Sequence, residues 1–188
     1  MIRRVLTGLL MLGSPVLAAE WTILPEQSTL RFETAITYPI GDPPRPVTGG
    51  LPIRDGRVLY DPSLLDKAEL DITLDVAAIS VGDLGLDREL RGGTWLGVRR
   101  FAVARLQAKG FEQIGAGQYQ TQATLILRGT PQVLPVVFGV TFENGQAIAT
   151  GTAKVDRYAF RVGASVPETV TPRFVPIWFT VVADEVSP

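Results

Sequence analysis

From Trp21 to the C-terminus, apolar residues recur at every second position, and that spacing commits the chain to β-strands. Leu70, Ile72, Leu74 and Val76 alternate with Glu69, Asp71, Thr73 and Asp75, which is the cleanest row. Leu30, Phe32, Ile36 and Tyr38 alternate with Thr29, Arg31, Glu33 and Thr37. Tyr119, Ala123, Leu125 and Leu127 alternate with Gln118, Gln120, Gln122 and Arg128. Val136, Phe138, Val140 and Phe142 form a further row, and Ile177, Phe179, Val181 and Ala183 form the last. Successive strand side chains point to opposite faces, so each row predicts one oily wall and one wet wall.

Turn chemistry separates the rows. Gly41-Asp42-Pro43-Pro44-Arg45-Pro46 predicts an irregular loop, because its prolines lack donors and fix φ. Asp55-Gly56 and Asn144-Gly145 both predict two-residue hairpins, in which glycine accepts positive φ. Asp87 to Arg91, stopped by Gly92 and Gly93, is the one stretch that reads as helix. About eight antiparallel strands in sequential order predict an all-β barrel or sandwich built as one domain.

Composition removes most chemistries. The 188 residues include no Cys and no His. Thiol nucleophiles, Ser-His-Asp triads, His-ligated metals and thiolate zinc sites are therefore excluded. Asp71 and Asp75 share the polar face of one strand, where solvent is the ordinary environment of such a pair, and no partner motif makes them a glycosidase dyad. The reading is a protein that is not an enzyme and has no cofactor. Formal charge is -1, without the basic excess that a nucleic-acid partner requires.

The N-terminus reads as an export leader. Arg3 and Arg4 precede the apolar run Val5 to Leu12, and Val16-Leu17-Ala18 offers small residues for cleavage. The expected boundaries are a signal peptide at 1–18 and a barrel domain at 19–188. The apolar run is too short to span a bilayer, and no integral span is expected in the mature chain. The expected location is the periplasm.

A barrel of this size is either filled by its own side chains or holds one small ligand. Ala123, Ala147, Ala149, Gly151 and Ala153 fall on the inner face and leave volume there. The residues expected to line that volume are Phe32, Ile36, Ile72, Leu74, Val76, Trp95, Leu125, Leu127, Phe138, Val140 and Phe179. Trp95 would either close one end of the cavity or tie the helix to the barrel. The alternating rows alone leave a packed core without a ligand equally open.

Several segments together resemble the YceI-like family. They are Trp21-Thr22-Ile23 with Gln27 to Phe32, Gly49-Gly50-Leu51, Asp55 to Pro62, and the strand Ala68 to Val76. The most specific is Asp87-Arg88-Glu89-Leu90-Arg91-Gly92-Gly93-Thr94-Trp95-Leu96-Gly97-Val98. Gly117-Gln118-Tyr119 leading to Leu125-Ile126-Leu127-Arg128-Gly129 is similar to a later family hairpin, and Lys154 to Phe160 to its penultimate strand. Gln27 and Glu89 stand where the family often has His. The resemblance implies a lipocalin-like, antiparallel up-and-down barrel of about eight strands with one short helix. It also implies an apolar isoprenoid lipid, a polyprenyl or quinone type, as the bound ligand, and is compatible with a homodimer.

Arg88, Arg91, Arg99 and Arg100 gather beside Trp95 in sequence. They read either as a site for a phosphate head group or as a solvated loop compensated by Asp83, Asp87 and Glu89. Arg128-Gly129 reads as a turn. Two other readings of the chain remain: an outer-membrane barrel, which needs an outward apolar band, and a filled interaction module supporting a membrane redox partner.

Overall fold

The computed structural model describes residues 19–186, so the expected leader at 1–18 lies outside the described residues. Strands β1 (Ala19–Ile23), β2 (Thr29–Ile36), β3 (Arg45–Gly50) and β4 (Ile53–Tyr60) precede β5 (Glu69–Asp75). Helix α1 (Leu84–Arg91) follows. Then come β6 (Val103–Lys109), β7 (Glu112–Gly115), β8 (Gln118–Leu127), β9 (Thr130–Glu143), β10 (Gln146–Asp156) and β11 (Phe174–Glu185).

From β4 to β11 the strands neighbour one another in chain order, with β7 as a short flap on β8. This is the up-and-down antiparallel order expected. The ring closes through β1, which pairs with β4 on one side and with β11 on the other. β11 is 12 residues long and serves two partners. Its Ala183–Glu185 end pairs with β1, and Ile177 to Thr180 pair with β2. A turn at Pro25–Gln27 lets the chain leave β1 and resume as β2 beside the same strand.

The inner wall follows the predicted parity. Ile72, Leu74 and Val76 of the first row are buried, as are Ala123, Leu125, Val136, Val181 and Ala183 from the others. Tyr38 departs from its row, because β2 ends at Ile36 and leaves the ring 77% exposed on the following loop.

Asn144 and Gly145 take φ of 52° and 82° and form the two-residue hairpin expected between β9 and β10. Asp55-Gly56 does not turn. It lies inside β4, beside an irregularity in the register with β5. Gly56 is there for clearance: a Cβ at this position would stand 2.7 Å from Ile23 Cδ1 and 3.0 Å from the Asp71 carbonyl oxygen. The proline-rich segment is also more regular than expected, since β3 begins at Arg45-Pro46. β3 sits at the edge of the sheet, where a missing donor is tolerated. The strand similar to the family's penultimate one stops at Asp156, and Arg157 to Phe160 form turns.

Helix α1 starts three residues earlier than expected. The Asp83 carboxylate accepts from the Gly85 and Leu86 amides and so caps it. Asp87 turns back to accept from the Val81 amide at 2.7 Å and the Ser80 hydroxyl at 2.8 Å, which ties the helix to the end of the barrel.

If Gly56 is a clearance residue and not a turn residue, Gly56→Val should destabilise the barrel by about 1–3 kcal/mol through overpacking. A urea denaturation midpoint unchanged from the parent would contradict that assignment.

Candidate ligand-binding site

The barrel interior is not filled. Two apolar voids lie along it, of about 100 Å³ and about 190 Å³, and Val136 borders both. On this measure roughly 10–15 Å³ suffices for one water, yet the surfaces facing the voids are apolar and give a water no partners. Such space is dry and suited to hydrocarbon.

Ten of the eleven residues expected inside border these voids. Ile72, Phe138 and Val140 line the smaller one. Phe32, Leu74, Val76, Trp95, Leu125, Leu127 and Phe179 line the larger one. Ile36 does not: it faces the outer cleft at the mouth, because β2 has by then passed the barrel rim. The small residues leave the volume expected of them, with Ala147 and Ala149 on the smaller void and Ala153 on the larger.

The two ends of the barrel differ. At the far end, aromatic rings crowd the smaller void. Trp21 lies 5.6 Å from Phe142, and Tyr60 lies 6.3 Å from Tyr119, between ring centroids. The two tyrosine hydroxyls meet at 3.0 Å. Burial, and then the hydrogen bond to Tyr119, push the Tyr60 phenol above the ordinary tyrosine range.

At the near end, the larger void meets an outer cleft of about 360 Å³ between β2, α1 and the segment before β11. Phe32, Thr34, Leu90, Trp95 and Thr171 face both spaces and frame the mouth. The Trp95 indole N–H donates to Glu89 Oε1 at 3.2 Å, so this ring both ties the helix and walls the cavity. Gly163 has a φ of 56°, and a Cβ there would stand 2.7 Å from Trp95 Cζ3; the turn accepts no larger residue beside the ring.

Arg157, which the alternating pattern did not mark as a wall residue, lines the larger void at 3% exposure. Its guanidinium donates to the carbonyls of Pro172, Val162, Gly163, Val166 and Thr171 and to the Tyr158 hydroxyl. Among the described residues no carboxylate pairs with it, so backbone dipoles solvate the charge. Thr34 Oγ1 and Thr171 Oγ1 are buried beside it without a hydrogen-bond partner. Strand parity from Phe32 points to Thr34; nothing local in the sequence marks Arg157 or Thr171.

Arg128 does occupy a turn, with φ of 52° at Arg128 and 71° at Gly129. Its side chain reaches across to the carbonyls of Gly93, Thr94, Trp95 and Arg161 and ties both mouth loops to the β8–β9 hairpin.

The carboxylates lie elsewhere. Asp71 faces out and is bonded by Arg105 at 2.5 and 2.7 Å, which holds its carboxyl below the usual range. Asp75 caps a turn through the Ala78 amide. The expected outward placement of both is met, and neither reaches the cavity. Among the described residues no group of acidic side chains is placed to hold a metal, and no helix is long and apolar enough to cross a membrane.

A closed antiparallel barrel with an under-filled apolar interior and a framed mouth has the architecture of barrels with room for one small apolar molecule. The chain belongs to the family described as the YceI-like domain, which matches residues 21–187. BcnA of Burkholderia cenocepacia superposes with a TM-score of 0.73 at 19% identity, covering 85% of this chain and 98% of that one. A polyisoprenoid-binding domain from Saccharophagus degradans, implicated in plant cell wall breakdown, gives 0.68 at 15% identity, covering 90% and 99%. The YceI protein of Campylobacter jejuni gives 0.59 at 17%, covering 71% and 81%. At these identities the likeness is one of fold. No curated protein matches the sequence.

The segment that carries Arg157 is held at both ends by Asp156, whose carboxylate accepts from Arg173 Nε at 3.0 Å and Nη2 at 2.7 Å. That guanidinium holds the Asp156 carboxyl below the usual range. A carboxyl depressed on folding stabilises the fold above its unfolded pKa of about 3.9 and loses that contribution as pH falls through the folded value. Asp156→Asn should therefore lower the melting temperature at neutral pH and narrow the gap between neutral and about pH 2. Parallel pH profiles for the parent and the variant would refute the linkage.

Proposed function

We propose that this protein binds an isoprenoid-type lipid, a polyprenyl or quinone-type molecule, and carries or sequesters it in the periplasm. The observation that carries this reading is the apolar, unfilled interior of the closed barrel. The hydrocarbon tail would lie against Ile72, Leu74, Val76, Leu125, Leu127, Phe138, Val140 and Phe179, with Phe32 and Trp95 at the mouth. The head would rest near Thr34 and Thr171, whose hydroxyls lack partners, in the field of Arg157. The polyisoprenoid-binding relative supports the ligand class. Burying one five-carbon unit is favourable by roughly 3–4 kcal/mol gross, part of which is lost in ordering the chain.

This is a binding role and not catalysis, in keeping with the absence of His and Cys and with carboxylates engaged in outward pairs. A filled interaction module is disfavoured by the voids. An outer-membrane barrel is disfavoured by charge pairs on the outer wall, Asp71 with Arg105 and Glu69 with Lys109.

The protein purified without detergent should release an isoprenoid into organic solvent, identified by mass spectrometry, or take up added polyprenol. Finding neither would overturn the reading. Ala153→Phe fills the larger void with a ring, so it should reduce polyprenol uptake about tenfold or more while the β-sheet circular dichroism persists. Undiminished uptake would move the ligand out of this cavity.

A further inference from the structure

We propose that the mouth end of the barrel docks on an anionic phospholipid bilayer, with Tyr38, Ile40 and Leu84 entering the interface and Arg88, Arg99 and Arg100 facing the lipid phosphates. The inference rests on the lipid-carrier reading, because a carrier of membrane-soluble molecules must load where they reside.

Leu84, Tyr38 and Ile40 are the three most exposed large apolar residues of the described chain, at 84, 77 and 75%. Scattered singly, exposed apolar residues mean little; together around an opening they mark an interaction site. All three stand at the same end of the barrel. Tyr38 and Ile40 belong to the β2–β3 loop, and Tyr38 shares the outer cleft with Leu86, Leu90 and Trp95 of the mouth. Leu84 opens the helix that forms the other side of that cleft. A tyrosine and two aliphatic residues suit the zone where headgroups meet acyl chains.

The charge around Leu84 selects the kind of surface. The groove behind α1 is lined by Leu84 with Arg88, Arg91, Arg99, Arg100 and Arg128, and by no acid. Two of these arginines are occupied structurally: Arg91 donates to the Ile79 carbonyl, and Arg128 holds the mouth loops. Arg88, Arg99 and Arg100 take part in none of the ion pairs among the described residues. The nearby acids on α1 and at its start are engaged, Asp83 in the helix cap, Asp87 with Ser80 and Val81, and Glu89 with Trp95. Hydrogen bonds from neutral donors leave the exposed Asp83 and Glu89 charged, so these two, with Asp42 and Glu168 on the neighbouring loops, are the charges that would oppose docking. A small soluble anion would gain nothing from an exposed leucine set among the arginines. A bilayer with anionic headgroups satisfies both.

The test is flotation of the full mature protein with vesicles of phosphatidylcholine alone or mixed with phosphatidylglycerol. Binding should require phosphatidylglycerol and weaken at high salt, because exposed charges are screened. Arg88→Glu/Arg99→Glu/Arg100→Glu should reduce it about a hundredfold or more, and Ile40→Glu/Leu84→Glu should reduce it comparably. All five positions are exposed, and circular dichroism checks that the variants fold. Polyprenol uptake from detergent micelles should match the parent in both variants. Equal binding of the parent to both vesicle types, or variants that float as the parent does, would overturn the docking surface. Failure of the parent to take up polyprenol from micelles would instead strike the carrier reading, and the vesicle result would still judge the surface.

Discussion

The pairing of β1 with β11 converts the sheet into a container. Trp21, Thr22 and Ile23 stand opposite Glu185, Asp184 and Ala183, while the other edge of β1 meets β4. Without that short ladder the sheet would have two open edges and its apolar face would need another layer to cover it. With it, the backbone groups of the wall are paired around the ring, and the inward side chains are enclosed whether or not they fill the space. An incompletely filled interior is tolerable only in such a closed wall, which excludes water by its own hydrogen bonding.

The mouth is organised by two arginines together with Phe160 and Leu96, which the same loops bury in the core. Arg157 gathers carbonyls from Val162 to Pro172 around one guanidinium, and Arg128 gathers those of the helix–β6 connection and Arg161. Guanidinium supplies five donors in a planar fork, so each side chain can fix several carbonyls of a loop at once. The opening keeps its shape without a plug of side chains that a ligand would have to displace. Glycine at 163 and the Trp95 ring fit together within this arrangement.

The same end that opens the cavity also carries the unpaired arginines and the most exposed apolar side chains. The opposite end is lined by aromatic rings and a tyrosine pair. The two ends thus differ in chemistry, and both proposals, the ligand inside and the surface outside, follow from that asymmetry.

Alternation at period two was sufficient to place Phe32, Ile72, Leu74, Leu125, Phe138 and Phe179 on an inner wall, because parity along a strand is a local property. The leader-like N-terminus, the missing His and Cys, and the Asn144-Gly145 hairpin were equally local. What was not legible depended on partners distant in the chain. Asp55-Gly56 carries turn chemistry, yet β4 runs straight through it, since pairing with β1 and β5 outweighs the local preference. Ile36 has the right parity and the wrong height, because only the ring shows where β2 passes the rim. Arg157 and Thr171 came to the cavity wall through a loop with no period at all. The sequence by itself determined the wall and its two faces; tertiary structure decided closure, the volume left unfilled and the position of the mouth, because those depend on which strands meet and not on how any one of them alternates.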